Sequence, residues 1–262
     1  MDFTLTLLGT GTSHGVPMIG CDCPVCHSTD PRDRHLRAAA WVHTNDTSVL
    51  IDVGPDLREQ VIRQHVMRVD AVFLTHTHAD HLHGIDDLRG FTRLCRQALP
   101  LYARKHDTDF IRNHFDYIFN DHDFKHGWFI PRIELRELDG QDLIRVGALP
   151  IQPIPLVHGH GHAMGYRIGN VAYLTDCSAI PESSYPLLQG LDAMVIDGLR
   201  WTPHYTHLCF EQAIAEAKRL QVPKTYLTHL THDIAYAENQ AKLPPGVFLA
   251  YDGLDITGTL AN

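Results

Sequence analysis

Short apolar segments recur along the chain, and each of them stops at a glycine or a polar residue. They are rich in β-branched side chains and span residues 4–10, 48–54, 71–76, 171–176, 193–199 and 225–230. Segments of this length and composition are typical of β-strands. Residues 209–220 instead show an apolar stripe at helical spacing, made of Phe210, Ile214, Ala217 and Leu220. Strands interleaved with helices predict a layered α/β fold.

Side chains that commonly bind metals stand at the ends of four predicted strands. His76, Asp176 and His229 close three of the apolar segments, and His158 ends the apolar run 149–158. Strand ends at one edge of a sheet face the same crevice, which is the usual place for a site in α/β proteins. The pattern therefore predicts that these four side chains meet.

The stretch from Leu74 to Gly84 reads "LTHTHADHLHG" and holds four histidines and an aspartate. If the chain turns after the strand, His76 and His78 can hold one ion while Asp80 and His81 hold a neighbouring one. Imidazole and carboxylate donors suit Zn²⁺, Mn²⁺ or Fe²⁺. A solvated polar loop is the alternative, but the complete His-x-His-x-Asp-His pattern after a strand favours a metal site.

Length and charge narrow the class of protein. The 262 residues suit one large domain or two small ones. A net charge of −9 argues against binding nucleic acid through a general basic surface. No apolar run approaches a membrane span, and the N-terminal residues lack the features of a signal peptide. We therefore expect a cytoplasmic protein that does not enter the membrane.

Three of the six cysteines, Cys21, Cys23 and Cys26, stand in the sequence "CDCPVC". Clustered cysteines without a secretory signal favour a metal site over a disulfide framework. Thiolates at this spacing can surround one Zn²⁺, but tetrahedral closure needs a fourth ligand from elsewhere in the chain. A tight turn with three reduced cysteines is the alternative.

The motif "THTHADH" and the later His158, Asp176 and His229 resemble the metallo-β-lactamase superfamily of binuclear hydrolases. The resemblance covers nearly the whole chain and implies a single domain over residues 1–262 with a four-layer αββα sandwich. It implies one metal bound by His76, His78 and His158, a second bound by Asp80, His81 and His229, and Asp176 between them. A hydroxide bridging the metals would be the nucleophile. Two divalent ions with these carboxylates and one hydroxide leave a local charge of about +1, which attracts an anion.

Three further features narrow the resemblance. The chain resembles the phosphoribosyl cyclic phosphodiesterases of phosphonate catabolism in three motifs. These are the glycine turn "LGTGTSHGVP" at 8–17, the cysteine array and the pair His229–His232. This branch implies that His232 is the fourth ligand of a structural zinc bound by the cysteine loop near 21–26. It implies a small cyclic phosphodiester substrate, such as 5-phosphoribosyl 1,2-cyclic phosphate, and a homodimer.

Catalytic roles are expected for Asp80, as a ligand in the reaction centre, and for His207. The resemblance implies that His207, which stands just before the predicted helix, helps to protonate the leaving oxygen; a surface histidine at the helix entry is the alternative. An inserted segment near 84–130 is expected to cover the pocket. The roles of His160, His162, Arg34 and Arg37 stay open.

Three other functions share the same motifs. A tRNA 3′-processing nuclease would need a basic arm, but residues 104–132 carry five basic and five acidic side chains, a poor match to a phosphate backbone. A thioester or lactam hydrolase could use the same metals. A non-enzymatic metal-binding protein is the third alternative, and the complete set of predicted ligands argues against it.

Overall fold

The computed structural model describes residues 1–95, 97–119, 130–138 and 142–260. In these ranges the chain forms two seven-stranded mixed sheets. The strands of the first sheet are β1 (Asp2–Gly9), β2 (Ala39–His43), β3 (Ser48–Ile51), β4 (Ala71–Phe73), β5 (Leu99–Arg104), β6 (Ile133–Leu138) and β14 (Asp255–Thr259). Their spatial order is β14-β1-β2-β3-β4-β5-β6. The pairs from β3 to β6 are parallel, so the carboxyl ends of these strands lie at the same edge.

The second sheet repeats this arrangement. Its strands are β7 (Ile144–Val146), β8 (Leu149–His158), β9 (Gly161–Ile168), β10 (Val171–Leu174), β11 (Ala193–Asp197), β12 (Lys224–Thr228) and β13 (Val247–Leu249). Their order is β13-β12-β11-β10-β9-β8-β7. The strands β10 to β13 pair in parallel, whereas β8 and β9 form an antiparallel hairpin.

Helices cover the outer faces of both sheets. The first sheet packs against α1 (Leu57–Arg63), α2 (Ala79–Leu82), α3 (Arg89–Cys95), α4 (Lys105–His114) and α5 (Asp116–Phe119). The second packs against α6 (Phe210–Leu220), α7 (Tyr236–Gln240) and a 3-10 helix at Glu182–Leu188. A third apolar cluster, which includes Phe73, Tyr166 and Tyr173, lies between the sheets. The predicted four-layer αββα sandwich is therefore confirmed.

Several strands end earlier than the apolar segments predict. The strand β4 stops three residues before His76, and β10 stops two residues before Asp176. Asp52, Asp176 and His229 adopt left-handed backbone conformations with φ of 67°, 53° and 63°. A residue with positive φ cannot continue an extended strand, and such residues cluster at functional sites. The apolar run therefore continues as buried chain while the backbone turns.

The two sheets are joined at the edge where β4 ends. The backbone amide of Met164 on β9 donates to the carbonyl of Thr75 over 2.9 Å. The hydroxyl of Tyr166, also on β9, donates to the carbonyl of Leu74. These bonds cross from one sheet to the other, so they hold the segment after β4 against the β8–β9 hairpin.

The predicted pocket-covering segment near 84–130 contains α3, α4, α5 and β5, an inner strand of the first sheet. Its residues 96 and 120–129 lie outside the described residues, and its covering role stays a prediction. Across the ranges that the structure describes, no helix has both the length and the apolar character needed to cross a membrane.

Candidate metal centre

The seven predicted catalytic ligands converge at the edge where the parallel strands end. His76 and His78 follow β4, His158 ends β8, Asp176 follows β10, and the ligand atoms of these four lie within 4.8 Å of one another. A second group within the same distance limit brings in the remaining three residues, Asp80, His81 and His229. Six of the seven side chains are buried, and His78 is exposed.

Asp176 stands between the two groups. Its Oδ2 lies 3.7 Å from His76 Nε2 and 3.8 Å from His158 Nε2. Its Oδ1 lies 3.1 Å from His81 Nε2 and 3.3 Å from His229 Nε2. Each oxygen of one buried carboxylate therefore faces a different set of imidazoles, which is the arrangement that a carboxylate shared by two cations requires.

The donor set fits divalent cations. Among the described residues, the Nε2 atoms of His76, His81 and His229 are buried and have no hydrogen-bond partner. A buried polar atom left without a partner costs about 1–3 kcal/mol. Three such atoms directed to one small region would be unfavourable unless something accepts their lone pairs. Imidazole nitrogens with carboxylates are the donors that first-row divalent metals accept.

Burial and local charge prepare these groups as ligands. Burial lowers the pKa of His76 well below its usual value, and nearby His81 adds to the effect. Burial likewise lowers the pKa of His158. For Asp176 burial would raise the pKa, but His229 and His81 outweigh it and hold the pKa well below its usual range. Neutral His76 and His158 beside an ionised Asp176 are forms that bind a metal. Burial would lower the pKa of His81 and of His229 as well, but Asp176 and the other nearby carboxylates outweigh it and raise both pKa values.

Outer hydrogen bonds orient the ligands. His81 Nδ1 donates to Asp52 Oδ2 over 2.7 Å, and the amide of Thr75 donates to Asp52 Oδ1 over 2.8 Å. His158 Nδ1 donates to the carbonyl of Thr206 over 2.9 Å. These bonds leave Nε2 of each ring to face the centre. The sequence pattern did not single out Asp52, which stands inside the segment 48–54, directly after the observed β3.

Replacing Asp52 by asparagine is expected to weaken metal binding without removing a ligand. The side-chain amide of asparagine carries no negative charge, so it holds the His81 ring less firmly with Nε2 facing the metal. Loss of such a partner typically costs about 10–100-fold in metal affinity or activity. Metal titration of the variant measures this, with Asp46→Asn, an exposed carboxylate, as the control. Equal affinity in both variants would contradict the role of Asp52.

His207 lies at the rim of the centre, 12% exposed. Its Nδ1 contacts Asp197 Oδ2 at 2.7 Å, and the amide of Cys177 donates to the same oxygen over 2.8 Å. Its ring stands 4.7 Å from that of His229 and 4.9 Å from that of His158. The structure thus brings His207 to the predicted place. The sequence pattern did not single out Asp197, which lies inside the predicted segment 193–199 and is the last residue of the observed β11.

Other singled-out residues lie elsewhere. His160 and His162 are exposed on the β8–β9 hairpin. Arg37 pairs with Asp56 at 2.7 Å and donates to the carbonyl of Ser13, and it lines a different cleft together with Arg34. Arg37 therefore links the N-terminal glycine turn to the start of α1.

The cysteine loop and the short segment that follows β12 form a second cluster. Cys21, Cys23, Cys26 and His232 have ligand atoms within 4.8 Å of one another. The Sγ atoms of Cys21 and Cys23 lie 3.3 and 3.4 Å from His232 Nδ1. The hydrogen bond with His232 is the largest of the effects that lower the pKa of Cys23 to about 6. The structure thus brings the four predicted zinc ligands together. One of them, His232, stands three residues after the predicted catalytic ligand His229.

Replacing Cys23 by alanine is expected to lower the melting temperature and to release about one zinc per chain, because a structural site contributes its binding energy to folding. Elemental analysis and thermal unfolding measure the two effects. The matched control is Cys177→Ala, which removes a buried thiol outside the cluster and should lose stability without losing zinc. If Cys23→Ala retains all its metal, the cluster is a thiol turn.

The family model described as "Beta-lactamase superfamily domain" matches residues 47–230. The chain is 36% identical over 252 residues to the octanoyltransferase of Porphyromonas gingivalis, a match that covers 95% of this chain and 50% of that protein. The chain therefore spans about half the length of this curated relative.

Two solved structures are similar over their whole length. One, described as a new diphosphatase from the PhnP family, shares 40% identity with a TM-score of 0.92, and the match covers 100% of this chain and 99% of the other. Zn²⁺-bound PqqB from Methylobacterium extorquens has a TM-score of 0.78 at 18% identity and covers 97% and 99% of the two chains. The second likeness shows a shared fold.

Proposed function

This chain belongs to the β-lactamase superfamily and is a hydrolase with the metallo-β-lactamase fold, and on that premise we propose that it is a binuclear metal-dependent phosphodiesterase. The observation that carries the proposal is the position of Asp176, whose Oδ1 faces His81 and His229 while Oδ2 faces His76 and His158. A site for a single ion would not need one carboxylate between two sets of imidazoles.

The residues that would hold the ions are divided by this carboxylate. One divalent cation would be held by His76, His78 and His158, the other by Asp80, His81 and His229, with Asp176 shared. Zn²⁺, Mn²⁺ and Fe²⁺ all accept these donors. When bound, two such cations acidify water and stabilise negative charge on phosphoryl oxygens.

His207 and Asp197 supply the proton for the leaving group. Asp197 is fully buried, and it accepts the hydrogen bond from His207 Nδ1 while the amide of Cys177 holds the same carboxylate oxygen. This contact fixes the orientation of the ring, so that Nε2 can face the departing oxygen and donate a proton to it. In other acid–base pairs too, a buried carboxylate orients the histidine that transfers the proton.

A small phosphodiester is the proposed substrate class. The cleft that includes His76, His78 and His158 has a volume of about 640 Å³, a size suited to a small molecule. A cyclic phosphodiester on ribose, such as 5-phosphoribosyl 1,2-cyclic phosphate, is the first candidate. A diphosphate is the second, because the relative at 40% identity is named a diphosphatase. Nucleic acid and membranes have no part in the proposal, and a homodimer stays a prediction for sedimentation analysis.

Acyl substrates are included in the test because one relative is named an octanoyltransferase. That name describes a protein about twice as long as this chain, so it does not assign an acyl substrate to the part shared with this chain. Thioester and lactam hydrolysis are therefore kept as alternatives to be measured.

The experiment is an activity panel on protein loaded in turn with zinc, manganese and iron. The substrates are cyclic and linear phosphodiesters, diphosphates, phosphomonoesters, thioesters, lactams and a 3′-extended tRNA. We expect the highest kcat/KM for the cyclic phosphodiester. Hydrolysis of thioesters or lactams alone would move the assignment to acyl chemistry, and salt-sensitive cleavage of tRNA would move it to a nuclease. Fully loaded protein that is inactive on every substrate would make it a metal-binding protein.

A further inference from the structure

We propose that Tyr205 is a stacking platform in the cleft of the candidate metal centre, and that it binds a planar ring, such as a nucleobase, on the part of the substrate that the cations do not contact. The inference rests on the proposed function, because it treats the metal centre as the place where the reacting phosphate binds. It makes Tyr205 a specificity-determining residue and narrows the substrate class to phosphodiesters that carry a planar ring.

Tyr205 lies in the loop between β11 and α6 and lines the same cleft as three of the proposed metal ligands. These ligands are His76, His78 and His158. Two residues after Tyr205 stands His207, the proposed acid. A ligand that fills the cleft from the metal ligands outward therefore meets the ring of Tyr205.

The ring of Tyr205 is more exposed than that of any other described phenylalanine, tyrosine or tryptophan. The residue is 78% exposed, whereas the next most exposed, Phe248, is 37% exposed and stacks on Tyr226. The Tyr205 ring contacts that of His204 at a centroid distance of 4.8 Å, and within the described ranges its hydroxyl has no hydrogen-bond partner. Packing of the fold thus uses little of this side chain, and most of its amphipathic surface is available to a ligand.

The loop that carries Tyr205 is fixed on both sides of the ring. The carbonyl of Thr206 accepts the hydrogen bond from His158 Nδ1, and the hydroxyl of Thr206 contacts His204 Nδ1 at 3.0 Å. In the β8–β9 hairpin, Gly159 has a φ of 57°, and a Cβ there would come within 2.6 Å of Thr206 Cγ2. The hairpin and the loop therefore touch. A tyrosine on a fixed loop has only two side-chain torsions to order, so stacking on it costs little conformational entropy.

The composition of the cleft favours a flat heterocycle over an acyl chain. Tyr205 is the only phenylalanine, tyrosine or tryptophan among its described lining residues. The lining beyond the metal ligands is otherwise polar and includes His106, His162 and the ion pair of Arg104 with Asp107. An acyl chain needs a continuous apolar surface. A nucleobase needs one aromatic face to stack on and polar groups around its edge.

A surface tyrosine without a binding role is the competing interpretation, and removing it would leave the affinity for every ligand unchanged. A contact that depends on apolar area alone is a second alternative, and leucine would preserve it. Stacking depends on the aromatic ring, so phenylalanine should preserve it and leucine should not. The three interpretations therefore predict different results for the same set of variants.

The test measures, by calorimetry, the binding of adenosine 5′-monophosphate and ribose 5-phosphate to the zinc-loaded protein. The two compounds share the phosphate and the sugar, and the base distinguishes them. We expect the wild type to bind the nucleotide about 5–100-fold more tightly, as base–aromatic stacking provides. Tyr205→Phe should keep this preference, whereas Tyr205→Leu and Tyr205→Ala should lose most of it. Affinity for ribose 5-phosphate should be the same in all four proteins, and thermal unfolding checks that each is folded.

A wild type that binds the two compounds alike, or binds neither, would overturn the platform. An undiminished preference for the nucleotide in Tyr205→Ala or Tyr205→Leu would also overturn it. The binding ratio does not depend on turnover. A protein that prefers the nucleotide through Tyr205 but hydrolyses no phosphodiester would therefore refute the proposed function and leave the platform standing, and an active phosphodiesterase without this preference would do the reverse.

Discussion

Replacing Asp176 by alanine is expected to abolish hydrolysis and to loosen both catalytic cations. The carboxylate lies within 3.8 Å of the Nε2 atoms of four histidines, two on each side. Its removal leaves each proposed ion one ligand short and takes away a negative charge that both ions share. Since loss of an outer partner already costs about 10–100-fold, loss of this shared ligand should cost more. Metal content per chain and kcat/KM on a phosphodiester measure the two effects.

The matched control is His83→Ala. His83 lies just beyond the motif and is exposed, and its ring packs against Phe115 rather than against the metal centre. This variant should keep its metals and most of its activity. Full activity in Asp176→Ala would refute the shared-ligand arrangement. Loss of metal in His83→Ala would show that His83 was wrongly excluded from the metal ligands.

Replacing His207 by alanine is expected to lower kcat selectively for substrates with a poor leaving group. A cyclic phosphodiester opens to an alkoxide, which needs a proton, and a positioned general acid contributes about 10²–10⁴-fold. A p-nitrophenyl phosphodiester releases a phenolate that needs little protonation, so its rate should fall much less. The measurement compares kcat for the two substrates on wild type and variant.

Metal content distinguishes the acid from a ligand. His207 also lies within 4.8 Å of the ligand atoms of Asp176 and His229, so geometry alone allows it to bind an ion. The hydrogen bond of its Nδ1 to Asp197 favours the acid, and His207→Ala should keep its metals. Equal loss of rate on both substrates would exclude the acid, and loss of metal would add His207 to the ligands.

Local patterns in the chain predicted a layered α/β fold and much of the layout of the site, whereas the four-layer sandwich was implied by the resemblance to the metallo-β-lactamase superfamily. The helix Phe210–Leu220 begins within one residue of its predicted start, and its apolar stripe packs on the second sheet. The motif from His76 to His81 is contiguous, so its side chains could be assigned as neighbours without knowledge of the fold. The strand ends were predicted less closely, because β4 and β10 stop before His76 and Asp176 while the buried apolar run continues.

Other features depended on contacts between distant segments. Asp52 is 29 residues from His81 in the chain, yet the two are in contact at 2.7 Å. Asp197 became the partner of His207 because β11 lies beside β10 and the loop before α6 returns to the same edge. A single aspartate at a strand end carries no local signal that distinguishes an orienting partner from a ligand.

The chain alone therefore determined which residue types stand at which strand ends, since hydrophobic periodicity and the spacing of histidines are local properties. Only the tertiary structure decided how they are combined: that Asp176 turns with a φ of 53° to face both groups, and that Asp52 meets His81 across the first sheet. The physical reason is that these contacts arise from the order of the strands and the packing of two sheets, which no stretch of sequence specifies by its own pattern.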